Sequence, residues 1–365
     1  MILRFQSVKN EEIKLKYYIV LTSPTARRIE REYAASKTLP RSDLSLLSEY
    51  LNASFIKPPS LTITQTDRII AKLSSTAENW AYARYLSSRL ELNDVVFCPG
   101  EEIGIPLASI CHAKKEKPKI VVWFHRITGL RSRIALKLFK ISRSVDLSVV
   151  SSRPNKNFLN SYLNIERDRI LFWWHPIDSS YFSPGLASTS KTKPIIASVG
   201  LEQRDYRLLA AATKKLDVDV KVAGFSQFQS RIAKKFPPVM PHNMTNKKYQ
   251  SSELMQLYYD ADVIVIPLKE NRGAAGLTVL LEAMSCRKPI VCVRTKGLAD
   301  ILDENAVTTV KPGDVAGLQK AILYLLDNPA EAKLKAQRAY ELIWKRHNLE
   351  KQVKILANFI RTLER

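Results

Sequence analysis

Between Val263 and Val293 the chain reads VIVIPLKENRGAAGLTVLLEAMSCRKPIVCV, and its one carboxylate set in a helical run is Glu282. The β-branched run Val263–Ile266 has the length of a buried strand, and Pro267 ends it. A polar, glycine-containing loop from Lys269 to Gly276 follows, then the helical spacing of Leu277–Met284, then Pro289 and a second apolar strand, Ile290–Val293. Such a strand–loop–helix–strand unit puts the N–H groups of Gly276, Leu277 and Thr278 at a helix start beyond the carboxyl end of a strand. Open α/β sheets bind ligands there, and unpaired helix-start amides attract phosphate. The same geometry also serves as an ordinary βαβ element with no ligand.

Other reactive groups recur at strand ends. The first strand, Lys16–Thr22, runs into Arg27 and Arg28, which suit a phosphate or simply solvent. Asp94–Cys98 ends at Pro99-Gly100, and Glu101 and Glu102 open the next helix. Ile120–Phe124 ends at His125-Arg126, where an imidazole points off the sheet edge instead of from a helix face. A later strand, Pro194–Gly200, ends in glycine, with Arg204 four residues on. A guanidinium there could fork onto two phosphate oxygens, or cap its loop and pair with Glu202. From Thr128 to Ser144, Leu130, Ile134, Leu138, Phe139 and Ile141 alternate with Arg131, Arg133, Lys137, Lys140 and Arg143. That reads as one basic amphipathic helix of the kind that lies on anionic lipid.

Leu281-Glu282-Ala283-Met284-Ser285-Cys286-Arg287-Lys288-Pro289-Ile290-Val291 resembles the L-E-A-M-A-x-G-x-P-V-V helix of GT-B glycosyltransferases, in particular retaining family 4. Two more stretches resemble that family in the same order: His175–Pro184 its N-G-V-D-x-x-x-F-x-P element, and Glu253–Pro267 its E-L-x-x-L-Y-x-x-A-D-V-x-V-x-P run. The resemblance implies two Rossmann-like α/β domains facing across a cleft. It places Glu282 on the ribose hydroxyls of a nucleotide diphosphate sugar, and Gly276, Leu277 and Thr278 near its diphosphate. Gly200 falls at the basic strand end that holds the same diphosphate, where Leu201 stands in place of the family's Arg and Arg204 is the substitute, and His125 falls near the donor sugar. One departure stands out: Ala274 replaces the family's earlier Glu, eight positions before Glu282, so retention of configuration does not carry over automatically. An inverting course would need a base, with Glu101, Glu102 or His125 as candidates.

The 365 residues suit two domains. The expected division is an acceptor-side domain at 1–184, a flexible linker at 185–193 (GLASTSKTK), a nucleotide-sugar domain at 194–340, and a helix at 341–365 bracing the first. A 45% hydrophobic and 25% charged composition is globular. The four cysteines form no C-x-x-C pair and no metal spacing with His, which predicts reduced core thiols, a cytoplasmic setting and no metal or other cofactor. Early charges interrupt any signal-peptide core, and no apolar run spans a bilayer. The net charge of +22 is shared by both halves, but Lys114–Arg143 alone holds ten basic residues and one acid. The expectation is therefore a peripheral membrane glycosyltransferase whose acceptor is a lipid-linked sugar, glycolipid or polysaccharide precursor. An epimerase of the same fold is the alternative. A basic nucleic-acid binder ranks below it, since it leaves Glu282 unexplained and no RNA-binding signature or zinc finger is present.

Overall fold

The computed structural model describes residues 15–34, 39–125, 127, 129–224 and 235–364. The chain forms two compact units. One holds the residues up to Glu30, Leu44–Trp173 and Val353–Arg365, and the other Arg31–Asp43 and Trp174–Gln352. Each is built on one wholly parallel six-stranded sheet.

In the first unit the strands are β1 (Lys16–Val20), β2 (Ser54–Ile56), β3 (Asp94–Cys98), β4 (Lys119–Phe124), β5 (Leu147–Val150) and β6 (Ile170–Phe172), in the spatial order β2-β1-β3-β4-β5-β6. All the side chains of β3 and β5 are buried, as continuous apolar runs covered on both faces require. The helical apolar periodicity of Ile69–Leu92 falls on two helices, Gln65–Ala71 and Ala77–Ser87, and not on one. Ser75 takes a left-handed conformation (φ 64°), Thr76 caps the second helix, and the Trp80 indole donates to the Ser74 carbonyl at 2.8 Å. Competing side-chain and backbone bonds of this kind stop a helix that apolar periodicity alone would continue.

The expected basic helix over Thr128–Ser144 is also broken. It consists of Leu130–Leu138 and a single turn, Ile141–Ser144, separated by Lys140 at φ 50°. The break lets Phe139 pack on Trp80, with ring centroids 5.3 Å apart, while Ala135, Leu136 and Ile141 are buried. Arg126, Thr128 and the side chain of Arg131 lie outside the described residues.

The second unit comprises β7 (Ile195–Val199), β8 (Asp219–Ala223), β9 (Met244–Asn246), β10 (Val263–Ile266), β11 (Ile290–Val293) and β12 (Thr308–Val310), ordered β12-β11-β10-β7-β8-β9. This is the doubly wound order whose direction reverses between β7 and β10. The stretch 185–193 is not slack. Ser188 donates through its main chain and hydroxyl to Asp260 (2.7 and 3.2 Å), and Lys191 reaches Asp262 at 2.6 Å. Acceptors on the neighbouring helix, which composition does not reveal, pin it down.

Further along, His347 is buried, its Nδ1 2.8 Å from the His175 carbonyl oxygen, and burial pulls its pKa down to about 4. Ile177 donates to the His347 carbonyl, so the His175–Pro184 element is fastened to the turn at 343–348.

Candidate functional site

The carboxyl ends of β7 and β10 meet at the sheet's switch point, and their loops are stitched together there. Asp205 donates to the Pro267 carbonyl at 2.8 Å and Lys269 to that of Gln203 at 2.9 Å. Gly200 ends β7 at φ 91° and Gly276 starts the helix Leu277–Ser285 at φ 92°, conformations costly for any residue bearing a Cβ. A Cβ at Gly276 would also press on Ile266 and Leu268 at 3.1 Å. The helix start carries no side-chain cap. Of the three amides expected near an anion, that of Leu277 is spent on the Ala274 carbonyl at 3.1 Å. The exposed Thr278 therefore presents the clearest donor.

Glu282 lies one and a half turns further along this helix. Burial pushes its carboxyl up to about 7, against the opposing effects of a Tyr258 hydrogen bond and the Arg204 charge. The Tyr258 hydroxyl donates to Oε2 at 2.5 Å, and this fully buried phenol is itself pushed well above its usual range, by burial first and then by the charge of Glu282.

Arg204 is only 3% exposed and works as a clamp beneath its loop. Nε donates to the Val199 carbonyl and Nη1 to that of Glu202, both at 2.9 Å. Burial lowers its pKa. Its Nη2 lies 2.9 Å from where a Cβ on Gly200 would stand, so the glycine makes room for the guanidinium.

Two cations missed in the sequence share this edge. Burial lowers the pKa of Lys235, and the nearby charges of Lys269 and Arg204 add to the effect, partly offset by Glu202. Lys235 belongs to a basic connection and Lys269 to a polar loop, and only the switch-point topology brings them to Arg204. Tyr258 was equally hidden, since its partner lies 24 residues away. Close by, Thr295 Oγ1 and Asn271 Oδ1 are buried without a hydrogen-bond partner among the described residues.

In the first unit, three predicted residues do come together beyond β3 and β4. The His125 main-chain N–H donates to Glu101 Oε2 at 2.8 Å, and its Nε2 lies 2.9 Å from the Pro99 carbonyl oxygen. A carbonyl can only accept, so Nε2 carries the proton in that contact. The ring packs tilted on Trp123 at 4.3 Å, and buried Asn155 donates to the His125 carbonyl at 2.9 Å. Burial raises the Glu102 carboxyl, with the Glu101 charge adding to it and His125 opposing. Arg27 and Arg28 are exposed on the helix Ser23–Ala34.

The fold and the matched stretch together define a class. Residues 196–328, within the second unit, match the family model described as Glycosyl transferases group 1. The two parallel sheets are those of GT-B glycosyltransferase structures. Sucrose-phosphate synthase from Thermosynechococcus elongatus superimposes with a TM-score of 0.67 at 15% identity, over 96% of this chain and 99% of that one. An Anabaena protein solved with UDP-glucose gives 0.66 at 12% identity, over 95% and 100%.

Among curated proteins, the sulfoquinovosyl transferase of Arabidopsis thaliana is 28% identical over 191 residues, 48% of this chain. That match spans 36% of the relative's own length. No helix among the described residues is long and apolar enough to cross a membrane, and the four cysteines are free and buried.

Proposed function

We propose that the protein is a glycosyltransferase that moves a sugar from a nucleotide diphosphate sugar to an acceptor, with the donor held by the second unit. The uncapped helix start at the switch point, with Glu282 further along that helix and inside the stretch matched by the family model, carries this reading. Glu282 takes the ribose hydroxyls. The Thr278 amide and the cations neutralise the diphosphate as it leaves, where negative charge grows in the transition state, so that protein groups do the work a metal would otherwise do. UDP-glucose in the Anabaena neighbour supports a donor of this class.

The first unit takes the acceptor, with Arg27 and Arg28 at the end of β1 and His125 beyond β4. Exposed Ile134 and Leu138, among exposed Arg133, Lys137, Lys140 and Arg143, support docking on an anionic membrane and hence a lipid-linked or glycolipid acceptor. Ala274 leaves the donor sugar without the family's first carboxylate, and Glu102 and His125 are the groups placed to act on a proton.

Calorimetric titration with UDP, GDP, ADP and TDP tests this. One nucleotide should bind selectively, Glu282→Ala should weaken it by about tenfold or more, and Lys235→Ala should weaken the diphosphate but not the nucleoside. A folded protein that binds none of the four would sink the proposal. Sugar turnover without an acceptor would favour the epimerase.

A further inference from the structure

The helix Leu277–Ser285 runs from the switch point to the opposite edge of the sheet, and its far end is unusual. The Arg287 N–H donates to the Met284 carbonyl at 3.1 Å and the Lys288 N–H to that of Ala283 at 3.0 Å, a Schellman closure. Such a closure needs its first residue in the left-handed region and is usually made by glycine, as in the L-E-A-M-A-x-G-x-P motif. Here Arg287 holds φ 54°. The chain thus accepts backbone strain to place a guanidinium at this corner.

What it faces is a cavity of about 470 Å³ between the amino ends of β10 and β11 and the helices Val315–Asp327 and Pro329–Leu342. Arg287, Lys288 and Lys333 line it together with Leu325, Pro329 and Ala332. The nearby acids are already engaged. Asp262 accepts from Lys191 at 2.6 Å and from the Ile195 N–H at 2.8 Å, and Asp260 accepts from Ser188 and Gln256. Lys288 donates to the Tyr259 carbonyl at 3.0 Å. Among the described residues, the Arg287 and Lys333 side chains have no such partner, and both are exposed. The result is an apolar floor with two unspent cations at its rim, in the size range of small-molecule sites.

We propose that this cavity binds an amphiphilic anion, a phosphate or carboxylate head on a short apolar body, at the edge of the sheet opposite the donor. The head pairs with Arg287 and Lys333, for which a guanidinium fork is suited, and the body lies against Leu325, Pro329 and Ala332. The site does not depend on the donor reading.

The test is titration of the full chain with octyl phosphate below its micellar concentration, beside inorganic phosphate and neutral octyl glucoside. Octyl phosphate should bind at one site, with each of the other two at least about tenfold weaker. Arg287→Gly removes the charge at a position where glycine is at ease, so it should keep or raise the melting temperature while weakening octyl phosphate by about tenfold. Lys333→Glu should weaken it similarly, and nucleotide binding should not change in either variant. Phosphatidate vesicles that compete with octyl phosphate would identify a membrane as the source of the head group, and vesicles that do not would identify a free solute. The site is refuted if octyl phosphate binds no better than its separate halves, or if both variants bind it as the wild type does. Loss of nucleotide binding alone would sink only the donor proposal.

Discussion

Burial beneath the switch-point loops keeps the Glu282 carboxyl half neutral at about pH 7. A carboxyl raised in the folded state binds more protons there than in the unfolded chain between roughly pH 4.5 and 7, so stability falls as pH rises through that window. Glu282→Gln removes the titration. Relative to wild type, the variant should gain on the order of 3 kcal/mol between pH 4 and pH 8, from about 1.4 kcal/mol per pH unit of displacement. Paired urea denaturation curves at the two pH values measure it, and parallel pH profiles would show that Glu282 is not the group that titrates. Ribose hydroxyls need an acceptor, so nucleotide binding by the wild type should strengthen as pH rises through 7. The position of Glu282 on a helix that starts at the switch point was legible from a glycine, an apolar run and a proline. Its proton affinity was not, because that depends on Tyr258 and on depth beneath the loops. Arg204 shows the same limit: its type and place were readable, but not that two carbonyls occupy its N–H groups.

Elements are held here by clamps that join distant segments. Arg41 donates from its main chain, Nε and Nη2 to the nearly fully buried carboxylate of Asp178 (2.9, 3.3 and 3.1 Å), and its guanidinium also meets Ser180 and Glu350. Burial pushes the Asp178 carboxyl up, but the Arg41 and Ser180 hydrogen bonds outweigh it and hold its pKa below the usual range. Arg41→Ala should therefore cost about 1–3 kcal/mol, kept modest because the arginine side chain is 43% exposed. Adding Asp178→Asn should recover part of that loss, since the stranded charge is gone. A lower urea midpoint for the single variant that the double variant does not improve would count against the clamp. In the sequence, Asp178 lies in the His175–Pro184 stretch and Arg41 in no motif, 137 positions apart. Neither position signals the other. The helix breaks at Ser75 and Lys140 were hidden for a related reason: apolar periodicity continues through both, and the left-handed residue that ends each run is neither glycine nor asparagine.

Across the whole chain, alternation of apolar runs and helical stretches was enough to read two parallel α/β sheets, because strands buried on both faces announce themselves as continuous β-branched runs. The net charge of +22 adds a property that belongs to no single element. Binding to vesicles rich in phosphatidylglycerol should weaken steeply between about 0.05 and 0.5 M salt as the charges are screened. Ile134→Ser with Leu138→Ser should remove what persists at high salt, as cosedimentation would show. Retention of the high-salt fraction by that double variant would move the contact elsewhere. Of the three-residue strands β2, β6, β9 and β12, β6 and β12 lie in the strand-like runs Ile170–Trp174 and Val307–Lys311, while β2 and β9 were hidden, being too short to show any period. All four are the outermost strands of the two sheets. Each sheet thus ends in a border of only three residues, with few unpaired N–H and C=O groups for another chain to extend. For a protein that must fold two slow parallel sheets, these clipped borders are a safeguard against edge-to-edge aggregation at the stage when the borders are first exposed.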